Sequence, residues 1–270
     1  MPTTLLSFLP LNPLLPSELP LGVEDIDARD AANPQLCSEY ALEMFAYLRQ
    51  REAASAVRAG HLEACPTTDR MRAVLVDWLV EVQVEFKLLQ ETLFSTVSIV
   101  DRYMAAEGAG VTRTRLQLVG VSAMFLAAKT EEVYAPAITD FVYITDNAYT
   151  EGDIKAMEIA ILRVLNFDLF EPVSLHFLRR FSKAGDVDML QHGLAKFAIE
   201  AALLDYELVA VEGSRLAAAG LLLALLLLEP RSAADMVWST TLAFHSGYSR
   251  AQLLPTVARL AQLLTGLVTM

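Results

Sequence analysis

Residues 71–104, MRAVLVDWLVEVQVEFKLLQETLFSTVSIVDRYM, decide the fold. The first half of the stretch holds no Gly or Pro. Met71, Val74, Leu75, Trp78, Leu79 and Val82 recur at i, i+3, i+4, i+7, i+8 and i+11, the spacing of one helical face. Val76, Val80 and Val84 carry apolar surface around to the other side, which predicts a helix buried in the middle of a domain. Asp77, Glu81 and Glu85 form a narrow acidic strip at i, i+4 and i+8. Arg72 near the start of this helix and Asp101 near the end of the next are lone charges in apolar surroundings.

Working outward, 270 residues suffice for one large or two ordinary domains. Hydrophobic residues make up 54%, Gly (12) and Pro (11) are scarce, and alternating Val-rich runs are few, which predicts an all-α protein. The formal net charge of −12 opposes a nucleic-acid partner, because phosphate neutralisation needs a basic face. Cys37 and Cys65 make neither a disulfide framework nor a metal set, and read as reduced thiols of an intracellular protein. Residues 1–22 are apolar but carry five prolines and no basic n-region, so they are not read as a signal peptide. The longest apolar run, residues 216–228, is 13 residues, too short to span a bilayer, and no membrane partner is expected.

Residues 1–34 are expected to be an irregular Pro-rich leader, each proline stopping helix propagation. Over residues 35–66, Ser38 is placed to cap a helix reaching about Glu52, followed by a loop with Gly60 and Pro66. Tyr40, Met44 and Tyr47 share one face of that helix, and Glu39, Glu43, Arg49 and Arg51 lie elsewhere, so it should dock on the surface. Thr67, Thr68 or Asp69 caps the organising helix. RLQLVGVSAMFLAAK (residues 115–129) is apolar nearly all round, and its Gly120, Ser122, Ala123, Ala127 and Ala128 permit close helix approach. Ala135-Pro136 precedes a short amphipathic helix to about Ile144. A further helix from Thr150 carries Glu151 and Asp153 in its first turn, where the macrodipole favours acids. Pro172 closes this block, residues 67–171. Residues 172–270 repeat the plan, with helices over 173–182, 186–209, 214–228, 233–244 and 249–267. A period of about 100 residues with matched helix character predicts two copies of one five-helix unit.

No catalytic set assembles. His61, His176, His192 and His245 are scattered without metal-binding spacing, and there is no P-loop, dinucleotide-binding glycine loop or nucleophile elbow. Neither metal nor cofactor is implied. Glu131-Glu132 has no partner base. The informative residues are charges inside apolar helices, which are costly unless paired. Arg72 and Asp101 read as a structural ion pair. Lys129 and Glu158 are either a second such pair or the lining of a notch that captures a partner's backbone groups.

MRAVLVDWLVEV, with Arg72, Asp101, Leu118, Lys129 and Glu158 at their present spacings, resembles the cyclin box. EDIDARDAANPQLCSEYALEMFAYLRQ, LLQETLF, RLQLVGVSAMFLAAK, FVYITDNAYT, LNFDL and LHFLRRFSKAGDVD resemble the mitotic B-type branch of that family, and the likeness spans about residues 23–265. The resemblance implies two tandem five-helix cyclin domains behind an N-terminal docking helix. It implies a non-catalytic regulatory subunit that binds and activates a mitotic cyclin-dependent Ser/Thr protein kinase at the G2/M transition, in cytoplasm and nucleus. A cyclin-fold adaptor without a kinase, as in transcription initiation, is the alternative. The acidic charge and the Lys129–Glu158 pair oppose it.

In the family, the lysine and glutamate matching Lys129 and Glu158 hydrogen-bond the backbone around the kinase's αC helix. Phe167 resembles an apolar anchor of that interface, near Leu162 and Leu169, and the face of Tyr40, Met44 and Tyr47 matches a second docking surface. Thr130 stands where an aromatic residue usually follows the lysine, which implies a weaker grip. Met71, Val74, Leu75, Trp78 and Gln117 match a hydrophobic patch for Arg-x-Leu motifs on substrates and inhibitors, with Glu81 placed to pair with the motif's arginine. By residue type alone they are more often a helix core, since Met, Leu and Trp recur at helical spacing. Arg179, His192 and Lys196 resemble a phosphate pocket for a phosphorylated partner, or else are solvated surface. The family's longer N-terminus carries a destruction box. Residues 1–34 hold no convincing one, and Arg113-Thr-Arg-Leu116, which fits R-x-x-L, lies at a helix start and reads as coincidence.

Overall fold

The computed structural model describes residues 19–63, 65–228 and 237–268, and among these every regular element is helical. In chain order the α-helices are α1 (Ala41–Ser55), α2 (Asp69–Phe86), α3 (Gln90–Glu107), α4 (Arg113–Glu131), α5 (Ile138–Ile144) and α6 (Glu151–Val164). A second set follows: α7 (Ser174–Ala184), α8 (Met189–Ala201), α9 (Gly213–Leu228), α10 (Thr240–Ser246) and α11 (Arg250–Val268). The starts are set by local chemistry. Thr68 Oγ1 accepts the Met71 amide at 3.2 Å and opens α2. Thr150 Oγ1 accepts the Asp153 amide at 3.2 Å while the Asp153 carboxylate takes the Thr150 amide at 2.9 Å, a reciprocal cap for α6. Asp188 and Gln191 do the same for α8. Each such cap contributes about 1 kcal/mol.

Two separate apolar cores form, one under α2–α6 and one under α7–α11. In the first, α3 packs most extensively on α4; in the second, α8 packs on α9. A glycine stands at the same place in each central helix. A Cβ on Gly120 of α4 would lie 2.7 Å from Leu75 Cδ1, and one on Gly220 of α9 would lie 2.8 Å from Ile199 Cγ2. Close helix approach at positions 120 and 220 is the repeat expressed in packing.

Several expectations are corrected. Within the first domain the most enclosed helices are α3 and α4, whereas α2 lies at the edge with Leu75, Val76, Leu79 and Val82 inward and Val74 and Val84 exposed. The acidic strip explains this, since Asp77, Glu81 and Glu85 hold that side of α2 in water and the two valines flank them. Ser38 does not cap α1. It opens a 3-10 turn, Ser38–Tyr40, after Cys37 takes a left-handed φ of 49°, and α1 follows without a side-chain cap. The helix predicted over 186–209 ends at Ala201 and gives way to 3-10 turns at Ala202–Leu204 and Tyr206–Leu208. There the Leu203 carbonyl is drawn to Arg72 Nη1 at 2.8 Å, and extended Asp205 caps the second turn through the Glu207 amide at 3.0 Å. Residues 1–18 of the predicted leader and residues 233–236 of a predicted helix lie outside the described residues.

The described part of the leader is irregular but docked. The Glu24 amide donates to Thr241 Oγ1 at 3.1 Å, Thr240 Oγ1 donates to the Gly22 carbonyl at 2.9 Å, and Ile26 enters the second core. Asp27 takes Arg180 Nη2 at 2.6 Å and Lys183 Nζ at 2.8 Å. Burial pushes the Asp27 carboxyl up, but its bonds to Arg180 and Lys183 prevail and hold it below the usual range, so this strap stays charged and anchored at neutral pH.

Between the domains, Glu52, Arg72, Asp101 and Glu171 line one cavity. Glu52 accepts the Ser214 amide and hydroxyl at 2.9 and 2.6 Å, and Glu171 accepts Ser98 Oγ. Burial raises the Glu171 carboxyl above its ordinary pKa, opposed only in part by Ser98. The unfolded chain ionises this group at its ordinary value, so folding loses stability as pH rises through the folded pKa. Glu171→Gln is therefore expected to raise Tm at pH 7, with the gain shrinking towards pH 4. Thermal melts by circular dichroism test this, and a lower Tm at pH 7 would refute it.

Candidate partner-binding surfaces

Lys129 lies in the last turn of α4 and Glu158 in the second turn of α6, and the packing of these helices brings the two side chains into an ion pair. Lys129 Nζ sits 4.1 Å above the Phe125 ring, which fixes the ammonium's direction. The side chains are 38% and 17% exposed, so the pair is a surface feature rather than an internal brace. Around it the chain leaves large apolar groups in solvent: Val133 and Tyr134 just after α4, Tyr143 on α5 and Ile159 beside Glu158. Sequence reasoning missed all four. The signal was present in Val133-Tyr134, an apolar pair in a short loop directly behind two glutamates. Those glutamates have structural work: Glu132 takes the Leu89 amide at 2.7 Å and Glu131 takes Ser95 Oγ at 2.8 Å, tying the end of α4 to the start of α3. Thr130 turns its hydroxyl onto its own helix, at 2.8 Å from the Ala127 carbonyl, and adds no ring to the surface.

Phe167 follows α6 with 71% of its surface exposed. It and Asn166 both adopt left-handed backbone, φ 60° and 51°, a conformation that costs a non-glycine residue about 1 kcal/mol. The fold holds it there. The Phe167 amide donates to the Leu162 carbonyl at 2.8 Å, Arg51 Nη2 bonds Asp168 Oδ1 at 2.6 Å and the Phe170 carbonyl at 3.1 Å, and Arg102 Nη2 bonds the Asp168 carbonyl at 2.6 Å. Leu162 and Leu169 are half-buried against the first core and support the loop from beneath. Arg51 stands one turn after Tyr47 on α1, so its grip on Asp168 joins Phe167 to a second exposed set, Tyr40, Met44 and Tyr47, each about half exposed on one face. The result is two exposed apolar sets, Tyr40, Met44 and Tyr47 on and just before α1 and Phe167 after α6, tied to one another by the Arg51–Asp168 ion pair.

A cleft beside α2 is lined by Met71, Val74, Leu75, Trp78 and Gln117, together with Thr68, Arg70, Arg113 and Leu116. Leu75 is its floor, Val74 stands 65% exposed at its edge, and Trp78 is half-buried. Glu81 is exposed one turn beyond Trp78 and is not part of the lining. Arg179 on α7 and His192 and Lys196 on α8 form the third set. The imidazole is held below its usual pKa by burial, then by Lys196 and Arg179, so the three basic groups are within electrostatic reach. Arg179 is paired with Glu91, and His192 Nδ1 shares a 2.7 Å bond with Ser182 Oγ. Arg72 and Asp101 meet inside the molecule through two 2.6 Å bonds. Among the described residues no His, Cys, Asp and Glu cluster could hold a metal ion, and no helix is long and apolar enough to cross a membrane.

The family model for the cyclin N-terminal domain matches residues 43–170, which takes in α1, and that for the cyclin C-terminal domain matches residues 172–269. The chain is 49% identical over 247 residues to G2/mitotic-specific cyclin-B of Patella vulgata, a match covering 92% of this chain and 59% of that protein. It is 48% identical over 246 residues to G2/mitotic-specific cyclin-B1 of Xenopus laevis, covering 91% and 60%. The chain thus spans about three fifths of the length of the curated relatives it matches. In fold it is similar to a viral cyclin from herpesvirus saimiri, with a TM-score of 0.70 at 20% identity over 81% of this chain and 95% of that one. Two tandem family domains and this degree of identity place the chain in the cyclin family, with the mitotic B-type cyclins among its relatives.

Proposed function

We propose that this chain is a non-catalytic regulatory subunit that binds and activates a mitotic cyclin-dependent Ser/Thr kinase at the G2/M transition. The observation that carries the reading is the partly exposed Lys129–Glu158 pair, together with Val133, Tyr134, Ile159 and Phe167, large apolar groups that stay exposed among the described residues. A lysine ammonium has three donors and a carboxylate several acceptor sites, so after meeting a partner the two can satisfy backbone carbonyl and amide groups at a helix end. Phe167, with Leu162 and Leu169 beneath it, and the Tyr40, Met44 and Tyr47 face then supply apolar contact. Kinase catalysis requires the ion pair between the β3 lysine and the αC glutamate. A subunit that binds only the αC-in arrangement raises that population by its differential affinity. Mixing the chain with a mitotic cyclin-dependent kinase and measuring phosphorylation of a Ser-Pro peptide tests the reading. No stimulation of the kinase would end it.

The cleft beside α2 is read as a recruiting site for Arg-x-Leu motifs of substrates and inhibitors, with apolar side chains against Trp78 and Leu75 and the arginine towards Glu81. Trp78→Ala should reduce phosphorylation of motif-bearing substrates by about tenfold, the value of about 1.4 kcal/mol of lost aromatic contact, and spare a short consensus peptide. Equal losses on both substrates would instead mark a core residue. Arg179, His192 and Lys196 are read as a phosphate site that competes with Glu91 for Arg179. Arg179→Ala should lower phosphopeptide affinity, and an unchanged affinity removes the site. The residence that goes with this function is cytoplasmic and nuclear, changing through the cell cycle, which imaging of the tagged chain across G2 and mitosis would check.

A further inference from the structure

The cleft beside α2 has a basic end that the docking reading does not use. Arg70, in the first turn of α2, and Arg113, the first residue of α4, line it together with Met71, Val74 and Trp78. Both are exposed, and neither guanidinium is paired with a carboxylate among the described residues. Asp69, the acid nearest in sequence, directs Oδ1 to the Arg70 backbone amide at 2.7 Å. Both arginines stand at the positive ends of helix macrodipoles, where a cation is disfavoured, so their charges do not stabilise the helices that carry them. Beyond the opposite end of the cleft, outside its lining, Asp77 and Glu81 are both exposed on α2. Eleven helical steps separate Arg70 from Glu81, which at 1.5 Å each is about 16 Å, the length of about five extended residues.

We infer that the cleft selects an extended peptide of bipolar charge. A basic residue lies over Glu81, an apolar residue against Trp78 and Leu75, and an Asp or Glu reaches Arg70 and Arg113. This rests on the recruiting role given to the cleft, and it adds an acidic requirement. If arginine precedes leucine and sits at Glu81, the chain continues towards the arginines, so the acid falls about five positions after the basic residue, as in Arg-x-Leu-x-x-Glu. The occupant is a partner protein's segment with an acid at that position; electrostatic complementarity of this kind sets specificity more than total affinity.

Fluorescence anisotropy with labelled Arg-Ala-Leu-Ala-Ala-Glu peptide and its Gln and Lys counterparts tests this on the full chain. The Glu peptide should bind about three- to tenfold tighter than the Gln peptide at low ionic strength, the range of one or two exposed charge pairs. The advantage should fade at high salt. Arg70→Glu with Arg113→Glu should reverse the order in favour of the Lys peptide. That variant places acids in first turns, which suits both helices, and circular dichroism checks that it folds. Arg113→Gln alone should give an intermediate preference. Equal binding of Glu and Gln peptides, with Trp78→Ala abolishing both, would overturn the acidic requirement and leave the cleft's recruiting role standing. No binding by any of the three peptides would overturn both.

Discussion

Lys129→Ala combined with Glu158→Ala is expected to abolish kinase activation while leaving the fold intact. Hydrogen bonds to charged groups contribute about 1.5–3 kcal/mol each, so losing one from each residue removes about 3–6 kcal/mol of binding, roughly 10²- to 10⁴-fold in Kd. Shifting a kinase from mostly inactive to mostly active takes about 5.5 kcal/mol of differential affinity, so a loss of this size removes most of the driving force. The cost to the chain itself is small. The pair is at the surface, and such pairs contribute about 0–1 kcal/mol to stability. Tm should therefore move by only a few degrees while stimulated phosphorylation falls to the level of the kinase alone. The exchange Lys129→Glu with Glu158→Lys separates the two roles. It preserves an intrachain ion pair but inverts the donor and acceptor offered to a partner, so it should be as inactive as the double alanine. Activation retained in the double alanine, with helical content unchanged, would sink the assignment.

How far the sequence could be read depended on whether a residue's role was local. The cap of α2, narrowed to Thr67, Thr68 or Asp69, the helix start at Thr150, the breaks at Pro136 and Pro172 and the small residues of α4 act within a turn or across one contact, and these were legible, whereas the reciprocal Thr150–Asp153 cap was not read. The repeat was legible for the same reason, since Gly120 and Gly220 answer to one packing rule. The pairing of Lys129 with Glu158 was expected only as one of two alternatives, because 29 residues of chain separate them and only the crossing of α4 and α6 brings them together. The expectation that α2 is the central helix failed because apolar residues around a circumference do not reveal which side is covered. Asp77, Glu81 and Glu85 were the better guide to α2's outer side. The unbroken helix over 186–209 failed because its terminator comes from another domain: Arg72 reaches the Leu203 carbonyl from 131 residues away. The left-handed backbone at Phe167 was illegible too, since nothing in an Asn-Phe pair announces it without the clamps from Arg51 and Arg102.

Arg72→Ala is expected to destabilise the protein by about 3–5 kcal/mol, the usual cost of removing one partner from a buried ion pair. Arg72 is 1% exposed and makes 2.6 Å bonds from Nε and Nη2 to the two oxygens of Asp101. Burial works against its charge, yet the Asp101 carboxylate holds the guanidinium above its usual pKa. Removing it strands the Asp101 carboxylate, with His61 Nε2, 3.8 Å from Oδ1, as the nearest cationic candidate, an imidazole whose pKa burial holds down in the intact protein, with the Arg72 charge adding to the effect. Set against a total stability of about 5–15 kcal/mol, this is a large fraction. Tm should fall by roughly 10 °C or more. The harm should be partly reversed by removing both charges, as in Arg72→Leu with Asp101→Leu, because the penalty comes from the orphaned carboxylate rather than from the absence of an ion pair. Some loss should persist even then. Arg72 Nη1 also holds the Leu203 carbonyl, so the double variant leaves that acceptor unpaired and loosens the 3-10 turns of residues 202–208 against α2. Amide exchange should accordingly quicken over residues 202–208 in both variants, while Tm recovers only in the double one. A Tm within about 2 °C of the wild type for Arg72→Ala would mean that water or His61 satisfies Asp101 and that the brace contributes little.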